Sequence, residues 1–204
     1  MPEKYLDKVY TIGNAPDAQC SLYNEWAETY DAELREGGYA TPARLAAALG
    51  AAEPNRDAPV LDFGCGTGLS GTALAAAGFT TIDGCDLSEG MLQEARAKGV
   101  YRDLWTLTPG VLDVAPGTYA VITACGVIST GAAPAATLDL IAQKVAPGGK
   151  LVFSYNDHAM ESPEYVGRLD ALLAGDFVEV SRETGTHIAG LESTSTVFVL
   201  GRLI

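Results

Sequence analysis

Val60-Leu61-Asp62-Phe63-Gly64-Cys65-Gly66-Thr67-Gly68-Leu69 is an apolar strand pattern that runs into three glycines at alternate positions. An alanine-rich helical pattern, Leu69–Ala77, follows and is closed by Gly78. Glycine suits such a turn for two reasons. Without a Cβ the chain bends tightly, and a ligand can lie against the backbone beside the positive end of the following helix. A lone glycine-rich turn is as often a structural bend as a binding loop, so its meaning depends on what surrounds it.

Outward from this stretch, short apolar runs alternate with helical segments, the pattern of a sheet built from βαβ units. The candidate strands are Ala58–Phe63, Thr80–Cys85, Asp103–Leu107, Thr118–Ala124 and Lys150–Tyr155. The helices between them are Leu69–Ala77, Glu89–Lys98 ending at Gly99, and Ala135–Val145 ending at Pro147-Gly148-Gly149. Parallel strands covered on both faces follow, a doubly wound α/β arrangement. Farther on, Ser162-Pro163 introduces a helix over Pro163–Ala174 stopped by Gly175, and Phe177–Arg182 with Ser193–Arg202 reads as an antiparallel hairpin at the sheet edge. Upstream, Leu22, Trp26, Tyr30 and Leu34 recur every four positions within about Ala15 to Leu34, one face of a helix docked on a core. Thr41-Pro42 then opens a second helix, with Thr41 as N-cap and Gly50 as terminator. With no repeat and no long linker, the expectation is a single domain over residues 1–204, in which 1–50 form a helical cap and 58–204 the α/β core.

The 204 residues carry 13 basic and 26 acidic side chains, a net charge of −13, with 48% hydrophobic residues. That composition can bury a sizeable core and excludes wholesale disorder. The negative field works against sequence-independent binding to nucleic acid or to an anionic membrane. Met1–Lys8 lacks the apolar core of a secretory signal, and no stretch approaches ~18 uninterrupted apolar residues, so a cytoplasmic location away from membranes is expected. Cys20, Cys65, Cys85 and Cys125 lie far apart without CxxC spacing, which indicates neither a metal site nor a disulfide framework. Nothing in the sequence sets the oligomeric state.

The glycine spacing departs from the G-x-G-x-x-G/A of dinucleotide sites, because Leu69 stands directly after Gly68. Asp62, at the strand end, would oppose a pyrophosphate but suits a cationic or hydrogen-bond-donating group. The next strand ends in Ile82-Asp83-Gly84-Cys85-Asp86-Leu87-Ser88. Asp86 therefore falls eighteen positions after Gly68, where its carboxylate can accept hydrogen bonds from both hydroxyls of a ribose. These features point away from NAD.

Asp62-Phe63-Gly64-Cys65-Gly66-Thr67-Gly68, Gly84-Cys85-Asp86-Leu87-Ser88 with Met91-Leu92, and Pro147-Gly148-Gly149-Lys150-Leu151 together resemble the motifs of class I S-adenosylmethionine-dependent methyltransferases, over roughly Tyr23 to Phe153. Within that superfamily, Tyr23-Asn24-Glu25-Trp26-Ala27-Glu28-Thr29-Tyr30-Asp31, Gly99-Val100-Tyr101 and Cys125-Gly126-Val127 look most similar to the Williams–Beuren syndrome region 27-like methyltransferases. The resemblance implies a seven-stranded, mostly parallel sheet and S-adenosylmethionine as cofactor. It also implies that Gly64, Gly66 and Gly68, with Cys65 in the same loop, lie along the methionine and ribose portions, with Asp62 near the methionine amino group and Asp86 on the ribose hydroxyls. Leu87 and Met91 would flank adenine, Cys125 would stand where the methionine part approaches the fourth strand, and Tyr30-Asp31 would close over the cofactor. Many relatives contact the adenine amino group with an acidic residue near the end of the third strand. Here Leu104-Trp105-Thr106-Leu107-Thr108 holds no carboxylate, and backbone groups around Thr106 and Leu107 are the expected substitute.

Methyl transfer from a sulfonium is an in-line displacement with an activated leaving group, so alignment and exclusion of water matter more than any catalytic signature. Where the acceptor needs a base, Asp157 and His158 after the fifth strand and His187 in the last hairpin are the candidates, each weighed against being a solvated loop residue. Cys125, with no His or charged neighbour in sequence, reads as an inert thiol. An Asn/Asp-Pro-Pro-aromatic motif is absent after the fourth strand, where Gly126-Val127-Ile128-Ser129 stands, which argues against DNA base methylation. Three features favour a small-molecule acceptor: the net charge, the lack of an appended recognition domain, and a cap formed by the tyrosine-rich N-terminal segment with an Asp157–Tyr165 loop. The alternative is a non-catalytic module that senses the cofactor, since the same loop and anchor bind it with or without transfer.

Overall fold

A computed structural model describes residues 16–204; the expectations that rest on Met1–Lys8 and on Ala15 lie outside the described residues. The strands are β1 (Val60–Phe63), β2 (Ile82–Asp86), β3 (Asp103–Thr106), β4 (Tyr119–Ala124), β5 (Val145–Asn156), β6 (Phe177–Thr186) and β7 (Thr194–Arg202). The helices are α1 (Pro16–Gly37), α2 (Thr41–Ala52), α3 (Leu69–Ala76), α4 (Glu89–Ala97), α5 (Thr137–Ala142), α6 (Asp157–Glu161) and α7 (Pro163–Ala174). One sheet holds every strand in the order β3-β2-β1-β4-β5-β7-β6. β1 to β5 pair in parallel, and β7 enters antiparallel between β5 and β6. The sheet is thus the seven-stranded, mostly parallel one expected. The terminal hairpin is attached through β7, which leaves β6 as the edge.

Alternation along the central strands explains the two layers of core. Val60, Val121 and Val152 meet Leu45, Leu49 and Leu74 from α2 and α3 on one face. Leu61, Ile122, Leu151 and Phe153 meet Leu138, Ile141 and Leu169 from α5 and α7 on the other. The order of the strands puts the β1–β4 reversal at the middle of the sheet, where a crevice opens at the C-terminal strand ends.

Some local expectations are corrected. Thr41 is the first residue of α2 and caps nothing, because its hydroxyl is taken by His187 and Ser195; Ala40 holds the N-cap position. Gly50 does not stop α2, which continues to Ala52 while Arg56 donates to the Gly50 carbonyl at 2.8 Å. The helix placed over Ala135–Val145 spans only Thr137–Ala142, and Pro147-Gly148-Gly149 lies inside β5, since Val145 already pairs with Tyr119 before the register shifts. Asp157–Tyr165 is α6 and the start of α7, with Asn156 Oδ1 capping Ala159 N–H at 3.0 Å.

At the end of β1, Asp62 is fully buried. Its Oδ2 accepts from Ser70 Oγ of α3 at 2.6 Å and from Tyr101 Oη at 2.8 Å, and its Oδ1 accepts from Thr123 Oγ1 of β4 at 3.0 Å. Burial pushes the carboxyl up to about 6; the three hydroxyls oppose the shift and the charge of Asp86 adds to it.

Phe198 of β7 is fully buried and stacks on Phe153 of β5 with centroids 5.1 Å apart. Phe198→Ala should lower stability to urea by about 3–5 kcal/mol; a loss below ~1 kcal/mol would place β7 outside the cooperative core. For Asp62, the folded-state value of about 6 exceeds the ordinary 3.8, so the ionised form is penalised only in the folded protein. Stability should therefore fall, by on the order of 3 kcal/mol, as pH rises from about 4 to about 6. Asp62→Asn should flatten that limb, and parallel profiles for the two proteins in this window would show that Asp62 is not its source.

Candidate cofactor site

The loop leaving β1 is held in shape by its glycines. Gly64, Gly66 and Gly68 have φ of +66°, +54° and +90°, a region that favours glycine. The N–H groups of Gly64 and Cys65 both donate to the Cys85 carbonyl, at 2.8 and 3.0 Å, which pins the loop to the end of β2. A Cβ placed on Gly66 would meet nothing within 4 Å, so that side of the loop is open. A cavity of about 210 Å³ lies over it, lined by Gly64, Gly66, Asp86, Leu87, Met91, Leu107, Cys125 and Tyr30 among others.

Asp86 faces this cavity. Its Oδ2 accepts from Gly66 N–H and its Oδ1 from Ser88 N–H, both at 2.9 Å. Burial raises the carboxyl above its ordinary range, against the pull of the Ser88, Gly66 and Leu87 amides. One bond at each oxygen leaves each with accepting capacity, which suits two adjacent hydroxyls on a ligand. Ser88 also caps α4, accepting from Met91 N–H at 3.1 Å, so the turn that aims Asp86 is itself fixed. Leu87, Met91 and Leu107 add an apolar wall beside it.

Four other expected residues are not in the cavity lining. Asp62 is turned into the hydroxyl cage behind the loop. Cys65 is buried toward Gly84, where burial raises its thiol far above the usual range. Gly68 is the N-cap of α3, and a Cβ there would meet Tyr101 at 3.0 Å, so its close approach is to the protein. Thr106 donates to Glu89 Oε2 at 2.8 Å on the surface, while Leu107, one position on, faces the cavity and donates its N–H to the Asp86 carbonyl at 2.8 Å.

The three base candidates also stand apart from the cavity lining. Asp157 accepts from the N–H and the hydroxyl of Thr194, tying α6 to β7; burial works to raise its carboxyl, but those bonds hold it below its usual range. His158 lies on the exposed side of α6. His187 is buried, with Nδ1 2.8 Å from Thr41 Oγ1 and its ring edge-on to Tyr39 at 5.2 Å. Burial, helped by Arg44 and opposed by Asp157, takes its pKa down to about 4, so the ring is neutral. The Asp157–Tyr165 segment does not contribute to the cavity wall, because Tyr165 packs against Tyr155 instead.

Helix α1 closes the cavity from above. Its buried stripe of Leu22, Trp26 and Leu34 docks as expected, and Tyr30 of the same stripe reaches the cavity. Asp31 accepts from Thr67 Oγ1 at 2.5 Å and pairs with Lys98 Nζ at 2.7 Å. Asn24 Oδ1 accepts from Ser88 Oγ at 2.6 Å and from Gly90 N–H at 3.0 Å, and Gln19 Nε2 donates to the Ala132 carbonyl at 2.6 Å. Gln19, Cys20 and Tyr23 also line the cavity, although they lie off the apolar stripe. Tyr23 lies seven positions before Tyr30, a helical spacing that puts the two on one side. Among the described residues no helix is long and apolar enough to cross a membrane.

A family profile described as "Methyltransferase domain" matches residues 30–194. Methyltransferase-like protein 27 of Homo sapiens is 32% identical over 172 residues, 81% of this chain and 69% of that protein. The ubiquinone biosynthesis O-methyltransferase of Paraburkholderia xenovorans (strain LB400) is 31% identical over 140 residues, and the match spans 63% of this chain and only about half, 55%, of that relative. An S-adenosylmethionine-dependent methyltransferase from Mesorhizobium loti shares the fold, with a TM-score of 0.56 at 18% identity over 72% of this chain and 91% of that one. The cofactor expected from the motifs is the one for which that structure is named. The chain belongs to the methyltransferase-domain family, and the enzyme class expected from its motifs is the one that family and its curated relatives carry.

Proposed function

We propose that this protein transfers the methyl group of S-adenosylmethionine to a small-molecule acceptor. The observation that carries the reading is Asp86, a carboxylate with accepting capacity left on both oxygens, set beside the open face of Gly66 and an apolar wall. In this reading Asp86 takes the ribose hydroxyls, Leu87, Met91 and Leu107 cover adenine, and Gly64 and Gly66 admit the methionine end toward Cys125. Asp62 supports the loop from behind and does not contact the amino group. S-adenosylmethionine supplies a methyl group on a sulfonium, which departs without acid assistance. The protein's part is to hold that group in line and keep water out. Tyr30 and the α1 contacts to the loops serve exclusion. Burial pushes the Cys125 thiol up to about 12, which keeps it protonated and out of the chemistry.

The small-molecule acceptor is supported by the charge of −13 and by a cavity lining that, among the described residues, contains Asp86 but no Lys or Arg to receive a phosphate backbone. Asp86→Ala should weaken S-adenosylmethionine binding in titration calorimetry by about 1–3 kcal/mol, the scale of hydrogen bonds to a charged group. Indifference to the substitution would sink the site assignment. Wild-type protein given methyl-labelled cofactor and a metabolite extract should label small molecules. Label only in RNA or protein would overturn the acceptor class, and binding without any turnover would favour a cofactor sensor.

A further inference from the structure

Tyr39, in the turn between α1 and α2, has a hydroxyl that the fold does not use well. Its partner among the described residues is Cys125 Sγ at 3.8 Å, and a thiol is a weak partner for a phenol. Tyr39 is half-buried, and a tyrosine so placed usually sets its hydroxyl on a strong partner, so the weak thiol contact asks for an explanation. Burial, then the neighbouring Cys125 and Tyr30, hold the phenol well above its ordinary range, so it stays a proton donor.

The hydroxyl lies against Gly126, a residue of the cavity lining, although Tyr39 is not itself part of that lining. A Cβ built on Gly126, a lining residue, would lie 2.5 Å from Tyr39 Oη and 3.7 Å from its ring carbon, with nothing else within 4 Å. Glycine at this position therefore gives the hydroxyl room to stand directly against a residue of the cavity wall. The ring is braced behind: His187 stands edge-on at 5.2 Å, Ala40 N–H donates to the His187 carbonyl at 2.9 Å, and Tyr39 bridges to Ile188. A donor held this rigidly is suited to fix the orientation of a bound group.

Sheet order says which group. From β3 through β2 and β1 to β4, the cofactor reading uses the strand ends in turn: Leu107, then Asp86, then Gly64 and Gly66, then Cys125. Tyr39 meets that line at its β4 end, beside Gly126, whose N–H donates to Ser154 Oγ of β5 at 2.9 Å. We infer that Tyr39 is an acceptor-binding residue, its hydroxyl donating a hydrogen bond to the molecule that receives the methyl group. This rests on the reading of the cleft given above.

Tyr39→Phe removes the oxygen and keeps the ring that packs on His187. Calorimetry with S-adenosylmethionine and S-adenosylhomocysteine should give dissociation constants within twofold of wild type. The initial rate of label transfer from methyl-labelled cofactor into a metabolite extract should fall roughly tenfold, the scale of one hydrogen bond made in the transition state. An unchanged transfer rate would overturn the inference. So would a parallel loss of cofactor affinity, which would assign the hydroxyl to the cofactor. If wild-type protein labels a macromolecular fraction, the same comparison is made on that fraction. If wild-type protein labels nothing, methyl transfer itself fails and this inference falls with it.

Discussion

At the end of β1 the Asp62 carboxylate gathers one hydroxyl from α3, one from β4 and one from the segment before β3. An ionised group in that position is costly to bury, and the three donors offset only part of the cost, as its raised pKa records. What the arrangement secures is geometry. Tyr101 Oη, while donating to Asp62, accepts from Gly71 N–H at 3.1 Å, so one phenol joins the strand end to the helix that follows the glycine loop. The ring needs the room left at Gly71, where a Cβ would stand 2.2 Å from it. The loop between Asp62 and Ser70 is thus fixed at both ends by one carboxylate, and its open side can only face the cleft.

The second fixed point is Asp86, and the two carboxylates divide the work. Asp62 is enclosed by three protein hydroxyls away from the cavity, whereas Asp86 has taken two backbone amides and faces the cavity with accepting capacity left. Helix α1 is then referenced to the same loops: Asp31 reads the position of Thr67, and Asn24 that of Ser88 and Gly90. The docking stripe of α1 sets how deep the helix lies, and these polar contacts set where along the crevice it lies. Tyr23 and Tyr30 reach the cavity because both conditions are met.

How much of this is legible in the chain depends on how local each cause is. The strand, the alternating glycines, the following helix and the acidic residue that ends β2 are close in sequence and follow from period and turn chemistry, so β1, β2, α3 and the place of Asp86 at a strand end are legible. Spacing locates a backbone position but not the turn of its side chain. For that reason the sequence sets Asp62 toward a ligand and Thr106 beside Leu107, whereas the structure turns the Asp62 carboxyl into three protein hydroxyls and Thr106 to the surface. The short helix at Asp157, in a segment the sequence reads as a loop, is signalled locally only by Asn156 as its N-cap. Thr41 was not readable: its partners lie 146 and 154 residues away, and only the completed sheet brings them to its hydroxyl.

That distant cluster also fixes the tautomer of the buried histidine. Arg44 Nη1 can only donate, and it does so to Ser195 Oγ at 2.9 Å, so Ser195 accepts there. Ser195 Oγ lies 2.8 Å from Thr41 Oγ1, and Thr41 Oγ1 lies 2.8 Å from His187 Nδ1. The assignment that gives every hydroxyl proton an acceptor runs one way: Ser195 donates to Thr41, and Thr41 donates to Nδ1. The imidazole then carries its proton on Nε2, and the nitrogen that would act as a base is already occupied. A neutral ring agrees with its pKa near 4 and with the guanidinium close by. The same chain of bonds ties α2 to β7, and through His187 to the ring of Tyr39. The hairpin of β6 and β7, remote from the glycine loop in sequence, therefore braces the ring of Tyr39 beside the cleft, with its histidine neutral and its Nδ1 already accepting from Thr41.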